Sequence, residues 1–451
     1  MNEILEPVRQ TPVMGAFDVV VAGGGPAGVA AALAAARTGA STLLVEAHGQ
    51  LGGVWTSGML SWVLDAGNKQ GVMAEMVRRL NALHALIGAR VWNGNHGMPY
   101  DVEQMKRVLE ELCLEAGVTI RLHSRIVAVV KDERRMTHVM AEGPGGREAF
   151  AGKTFVDCTG NGDLAALAGC GFDIGRPAEG PGSAGPDRVG ETQPMTLMCM
   201  ITGIDREATA EFHDRTDRPW SAPKDALRAE FNRAGVEPSY GKPTIFEIHP
   251  ELYTWMINHE YGYDGLSTAD ITAATLHARA EVHKHIDALR KLGGVWRDIR
   301  IVATPAQIGI REGRRIHGRY TVTVEDMIEG ARFDDAICRV TFGLDVHSTN
   351  KTHGTGIDHS EKVRTQPYDV PLRSLIAADV DGLLTAGRCI SGDFLAHSSY
   401  RVTGNSVAMG EAAGACAAVA ATTGRLPHEV PFAEVAAVAP GLQPTGEPAP
   451  A

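Results

Sequence analysis

The segment Phe17-Asp-Val-Val-Val-Ala-Gly-Gly-Gly-Pro-Ala-Gly-Val29 constrains this chain more than any other. Four apolar residues, Val19 to Ala22, run into Gly23, Gly24 and Gly25, and Pro26-Ala27-Gly28 opens an alanine-rich stretch that lasts to about Arg37. The pattern predicts a buried strand, a tight turn and a helix. Each glycine has its own task. Gly23 permits the turn, Gly25 lets backbone approach a pyrophosphate, and Gly28 lets the helix lie against the strand. The unpaired N–H groups at the helix start, around Pro26 and Ala27, suit phosphate oxygens. A second strand, Ser41 to Val45, ends in Glu46, 23 residues after Gly23. A carboxylate at that place can accept from a ribose hydroxyl. Strand, turn, helix and acid together predict a dinucleotide site.

With 451 residues the chain has room for two or three domains and a large core. Its net charge of -11 argues against nucleic-acid partners. The seven cysteines are scattered, with no CxxC or CxxxxC pair and no zinc or iron–sulfur spacing. A redox-active disulfide and a metal are therefore not expected, and unpatterned thiols point to a reducing, cytoplasmic setting. The first 15 residues carry Glu3, Glu6 and Pro7 and do not make a signal peptide. No apolar run is long enough to predict a membrane span.

A helical pattern covers residues 70 to 86, and a clearer one runs from Asp101, a candidate cap, to Ala116. Val118 to Leu122 and Ile126 to Val130 read as strands, and 138 to 157 as a short hairpin with a return strand. Residues 174 to 192 are rich in Gly and Pro and read as a mobile crossover or lid. Pro194 to Thr202 reads as a strand, Thr268 to Leu292 as a long helix, and Asn405 to Thr422 as a helix of small residues. That composition implies close approach to something flat or to other backbone. The tail from 439 is expected to fray.

Two later motifs bear on which dinucleotide is bound. Asp157-Cys-Thr-Gly-Asn-Gly-Asp163 and Ala386-Gly-Arg-Cys-Ile-Ser-Gly-Asp393 each follow a strand, and each closes on glycine and aspartate. A ligand crossing an open α/β sheet is held at such turns, here by Gly160 and Gly387. Asp163 and Asp393 could accept from ribityl hydroxyls, or could cap the helices that follow them.

With these motifs in view, the chain resembles the FAD-dependent oxidoreductases of the glutathione-reductase-like fold, whose flavin domain is related to that of fumarate reductase flavoproteins. The resemblance rests on Gly23 to Gly28 with Glu46, Leu51-Gly-Gly53, Asp157 to Asp163 and Gly309-Ile-Arg-Glu-Gly-Arg-Arg-Ile-His-Gly318. It also rests on Pro371-Leu-Arg-Ser-Leu375, Ala386 to Asp393, and Ala396-His-Ser-Ser-Tyr-Arg401 leading into Gly410-Glu-Ala-Ala-Gly414. It implies an α/β fold: a Rossmann-like FAD-binding domain split between 15–185 and 365–430, an inserted α+β substrate or cap domain at 186–364, and a C-terminal tail at 431–451. It further implies that Glu46 holds the adenosine ribose, that backbone at Ile126 clamps the adenine, and that Gly52 and Gly53 belong to the flavin site. Asp393 would meet the ribityl chain, and the turn holding Gly404, Asn405 and Ser406 would present a helix start to the flavin. Glu411 stands where such proteins often carry glutamine, and is expected either to alter the helix charge or to face solvent. No second GxGxxG provides an internal NADPH domain, so the electron donor or acceptor is unidentified.

For chemistry, the sequence offers His397, Arg401, Arg314, Arg315 and His317 first. Arg314 or Arg315 would hold an anionic group of a small polar substrate, with Arg311 a weaker candidate. His397, four residues after Asp393, is the candidate proton-transfer group. Tyr400 and His347 follow it, Trp55 and Met59 are expected to wall the flavin ring, and His353 and His359 read as loop residues. The leading function is hydride transfer between this substrate and flavin N5. The alternatives are a flavin monooxygenase and a non-enzymatic FAD-binding protein.

Overall fold

The three consecutive valines after Asp18 are wholly buried at the centre of a seven-stranded sheet. The computed structural model describes residues 4–84, 90–92, 95–183, 190–213, 219–358 and 362–442. Strand β1 (Val13–Ala22) leads through the glycine turn to helix α1 (Pro26–Arg37) and then to β2 (Thr42–Val45). β3 (Thr119–Arg121), β4 (Arg125–Asp132), β5 (Arg135–Gly143) and β6 (Gly146–Asp157) complete the first part of the sheet. The order is β3-β2-β1-β6-β5-β4. Val21 lies beside Leu44 on one side and Val156 on the other, both in parallel register.

The expected short hairpin is a long one, because β6 serves two neighbours along one edge. Its first half pairs antiparallel with β5, as at Ala149 and Met140. Its second half pairs parallel with Leu383–Thr385, matching Phe155 to Leu383 and Asp157 to Thr385. This late strand brings the C-terminal segment into the N-terminal sheet.

The small-residue helix, Thr403–Thr423, meets other backbone, and that backbone is α1. A Cβ on Gly410 would stand 2.0 Å from the carbonyl oxygen of Ala27, and one on Gly414 2.0 Å from that of Ala31. Residues Thr403 to Ala421 are all buried, so no polar face shows in the sequence. The helix expected at 70–86 spans Gly71–Ala82, and the one at 101–116 spans Val102–Glu115. Asp101 caps the latter, accepting from the Glu103 N–H at 2.8 Å.

The insert builds its own four-stranded antiparallel sheet. Thr244–His249, Leu252–Met256, Cys199–Thr202 and Arg300–Ala303 lie side by side in that order. The Thr268–Leu292 helix has the predicted bounds and buries Ala274, Ala278, Val282, Ile286 and Leu289. Phe231, Trp255 and Trp296 form the centre of this second core.

Three expectations about boundaries need correction. The insert does not extend to 364, because Val322, Met327, Ile337 and Val340 pack into the core shared by α1 and the Thr403–Thr423 helix. The 174–192 stretch is anchored where it is described. Arg176 is buried, pairs with Asp358 at 2.8 Å, and lies over the Phe394 ring; residues 184–189 lie outside the described residues. The tail is tied down at its start, since Leu442 is buried, and 443–451 lie outside the described residues. No helix among the described residues is long and apolar enough to cross a membrane. All seven cysteines are buried free thiols.

Glu411 neither faces solvent nor stands idle. It is 7 % exposed, and its Oε2 accepts the Val72 N–H at 3.0 Å, in the first turn of Gly71–Ala82. Burial pushes its carboxyl up to about 7, against the pull of that N–H. An unfolded glutamate titrates near ~4.3, so the folded chain holds an extra proton between the two values. Stability should therefore fall as pH rises from about 4.3 towards 7. Glu411→Gln keeps the acceptor and cannot ionise. It should flatten that decline and raise Tm above pH 7, and matching pH–Tm curves for the two proteins would refute the assignment.

Candidate active site

A cavity of about 430 Å³ lies across the C-terminal ends of the parallel strands. Gly23, Gly25, Pro26 and Ala27 line one side, with Glu46 and Gly53. The turn after β6 adds Gly160 and Asp163, the start of β4 adds Ile126, and Gly387 and Ser406 line it next to Ala27. The glycines differ as their tasks require. Gly23 has φ +93° and no room for a Cβ, which would meet the Cys158 carbonyl at 2.6 Å. A Cβ on Gly28 would stand 1.7 Å from the Gly23 carbonyl oxygen, so this glycine serves packing and does not line this cavity. A Cβ on Gly25 would meet nothing within 4 Å, so its open side gives a ligand close access to backbone. Glu46 Oε2 accepts the Gly24 N–H at 2.6 Å and Oε1 the His48 N–H at 2.8 Å. The carboxylate thus holds the glycine turn in place while it faces the cavity.

Not every expected cofactor residue reaches this cavity. Gly52, at φ +108°, shapes the loop that carries Gly53. Gly404 packs against residues 64 and 65, and Asn405 is wholly buried beside it with no side-chain partner. Asp393 is a correction: it caps the Phe394–Tyr400 helix. Its Oδ1 accepts the Ala396 N–H at 2.7 Å and its Oδ2 the Val324 N–H at 2.6 Å, and it lines neither large cavity. The helix after β6 is served by Asp157, which accepts from Ala165 N–H at 2.8 Å. That leaves Asp163 at the cavity wall, paired with Arg314 at 2.9 Å.

A second cavity, of about 420 Å³, lies between this region and the inserted sheet. The two share Val54, Gly58, Gly309, Ile310, Arg388, Arg401 and Thr403 in their walls. Its lining is mainly apolar. Trp62 and Phe246 pack with ring centroids 5.0 Å apart, and Leu60, Met198, Trp220 and Phe342 continue the wall. Arg311, Asp345, His347 and Arg401 form a polar corner in it, and Lys224 and Arg388 add further positive charge to the wall.

The corner is electrostatically tight. Burial, with Arg401 close by, lowers the Arg311 guanidinium to about 10. It donates to the Pro194 carbonyl at 2.6 Å and to Thr196 Oγ1 at 2.7 Å. Arg401 donates to Gln193 Oε1 at 3.0 Å and to the Asp345 carbonyl at 2.8 Å. Burial by itself would raise the Asp345 carboxyl, but His347, Arg401 and Arg311 hold it well below the usual carboxylate range. His347 Nε2 stands 3.4 Å from Asp345 Oδ2, while its Nδ1 is buried without a partner. Burial, and then Arg311, push the imidazole down to about 4, so it is neutral at pH 7.

Most of the candidates chosen for chemistry are engaged elsewhere. Arg315 is buried and committed to Glu312 at 2.9 Å and to the Gly392 and Gly175 carbonyls. Arg314 is committed to Asp163 and the Asn161 carbonyl. His317 is exposed and pairs with Asp173 at 3.1 Å. His397 has no exposed surface, and neither ring nitrogen makes a well-formed hydrogen bond. Burial, then Arg401, hold it neutral. Tyr400 donates to the Ile390 carbonyl at 3.1 Å. None of these five lines the apolar cavity. Trp55 and Met59 line neither cavity; Val54 and Gly58 of that loop do. His359 and the side chain of His353 lie outside the described residues. Of the five first choices, only Arg401 faces the cavities, joined there by Arg311, Arg388 and His347.

Residues 18–438 match the family of FAD dependent oxidoreductases, and the chain belongs to that family. It is thus an FAD-dependent redox enzyme acting on an organic substrate, and the glycine-walled cavity fits the cofactor. No curated protein matches the sequence. Among solved structures, a geranylgeranyl bacteriochlorophyll reductase-like protein from Thermoplasma acidophilum is 13% identical, with TM-score 0.48, covering 91% of this chain and 80% of that one. The myxobacterial chondrochloren halogenase is 14% identical, with TM-score 0.48 and coverage of 93% and 77%. The flavin-dependent brominase Bmp2 is 14% identical, with TM-score 0.47 and coverage of 90% and 80%.

Because Gly25 has open space where a Cβ would be, Gly25→Glu should fold and still lose flavin. Its carboxylate would occupy and repel the pyrophosphate seat. Purified protein should be colourless but keep the wild-type far-UV spectrum. A variant that stays yellow would show that the pyrophosphate lies elsewhere.

Proposed function

We propose that the chain transfers a hydride between flavin N5 and an organic substrate with an apolar or aromatic body and an anionic end. The observation that carries this reading is the aromatic cavity that adjoins the dinucleotide cavity and has a cationic corner at Arg311 and Arg401, with Lys224 and Arg388 also in its wall. Bound FAD would supply the hydride acceptor or donor. The aromatic walls would hold the substrate body and exclude water, which strengthens electrostatics at the corner. Arg311 and Arg401 together outweigh the single charge of Asp345 and would draw a carboxylate, enolate or phenolate. This replaces the small polar substrate held by Arg314 or Arg315. A neutral imidazole with an open Nδ1 can accept a proton, and an anion beside Arg311 would offset the repulsion that lowers His347. His347 is therefore our general base, with Asp345 orienting it, in place of His397. We further place the chain in the glutathione-reductase-like division, supported by its split flavin domain and single glycine fingerprint.

A monooxygenase is the second reading, favoured by the apolar walls, which suit an apolar substrate shielded from water. The two separate on one experiment. Anaerobic mixing with aromatic and aliphatic carboxylates should bleach the flavin directly under the first reading. Bleaching only by a nicotinamide donor, followed by incorporation of labelled oxygen into product, would favour the second.

Two substitutions test the residue roles. Losing a charge-assisted contact is typically worth ~1.5–3 kcal/mol, so Arg311→Met should raise KM about 10- to 100-fold and leave flavin bound. An unchanged KM would remove Arg311 from the substrate site. His347→Gln keeps polarity without basicity and should slow anaerobic flavin reduction by ~10²-fold or more. His397→Asn should instead lower Tm and leave that rate within a few fold. The opposite pattern would return the proton-transfer role to His397.

A further inference from the structure

The insert carries a cluster of metal-ligating side chains that the redox site does not use. His277 and Glu281 stand four residues apart on the Thr268–Leu292 helix, so they share a face. Glu260 reaches them from a segment that bridges to Met195. One ligand atom from each of the three lies within 4.8 Å of the others. His277 and Glu281 also line a cavity of about 440 Å³, on which Lys284 and Lys351 border too.

Glu260 is the informative member. It is 2 % exposed, and its Oε2 meets His277 Nδ1 at 2.7 Å. Its Oε1 is equally buried and has no hydrogen-bond partner. A buried carboxylate oxygen left without a donor is costly. A protonated His277 would neutralise the charge but still leave Oε1 unsatisfied. A divalent cation would satisfy that oxygen and needs only a neutral imidazole.

We propose that Glu260, His277 and Glu281 form a divalent-cation site on the insert, distinct from the flavin and substrate cavities. One imidazole and two carboxylates are a donor set for Zn²⁺, with Mn²⁺ the harder alternative. The two lysines weaken the attraction without occupying a ligand position. The site is coupled to the substrate cavity by short connections. Glu281 accepts from the Ser239 N–H and hydroxyl, each at 2.8 Å, and Ser239 Oγ in turn accepts the His259 N–H at 2.8 Å. The His259 ring lies 4.3 Å from that of Tyr240 and 4.9 Å from that of His347, and both of these line the substrate cavity. An ion joining Glu260 to Glu281 would fix both segments that carry this wall.

The test is calorimetric and does not depend on the proposed reaction. FAD-loaded protein, stripped with EDTA, is titrated with ZnCl₂ and separately with MnCl₂. Wild type should bind one Zn²⁺ per chain. His277→Ala and Glu281→Gln should each weaken binding at least tenfold while the visible flavin spectrum is unchanged. His283→Ala, an exposed histidine of the same helix, should leave it intact. Absence of saturable Zn²⁺ and Mn²⁺ binding in the wild type would overturn the proposal. So would unaltered binding in both cluster variants, or an equal loss in His283→Ala.

Discussion

Backbone-to-backbone contact between α1 and the Thr403–Thr423 helix is the constraint on which the rest of this structure depends. The two segments are separated by more than 350 residues, yet Gly410 and Gly414 bring one helix against carbonyls of the other at a distance no side chain would allow. Close approach of this kind maximises dispersion contact along the facing side of the later helix. It also puts Thr403 and Ser406 in the wall of the same glycine-lined cavity as Gly25 and Ala27. The split domain closes there, and both cavities take their shape from that closure.

Charge buried near the cavities follows a consistent division. Arg314 and Arg315 are matched by Asp163 and Glu312 and so act as internal ties. Arg388 is spent on the Gly160 and Ile310 carbonyls and Asn161, tying the β6 turn to the insert. At Arg311 and Arg401 two buried cations share one nearby carboxylate, Asp345. Desolvated cations without full compensation are expensive in an apo protein. Their presence beside aromatic walls is what selects an anionic, largely apolar substrate in our reading.

The aspartates show why short motifs mislead about contact. Asp157, Asp163 and Asp393 all belong to glycine-containing turns that follow strands. In the fold, Asp157 and Asp393 spend their oxygens on backbone N–H groups, while Asp163 alone reaches the cofactor cavity. Capping and ligand binding make the same local demand, an acceptor next to exposed N–H groups, and sequence does not separate them. His397 misled for a related reason. Its distance along the chain from Asp393 suggested a place beside the flavin ring, but it lies on the Phe394–Tyr400 helix, which is buried on every side.

By itself, the sequence determined the glycine-turn dinucleotide site, the acid at Glu46, the helix bounds at Thr268–Leu292 and the demand for close packing at 405–422. These are local: a turn with positive φ, a cap or a run of small residues leaves its mark within a few positions. Tertiary structure alone decided which arginines face a cavity and which face a carboxylate. It also gathered Trp62, Trp220, Phe246 and Phe342 into one wall and buried Glu411 against a helix start. Those outcomes depend on which distant segments meet, and a side chain's chemistry is the same in the sequence whether its neighbour proves to be water, an opposite charge or an empty cavity.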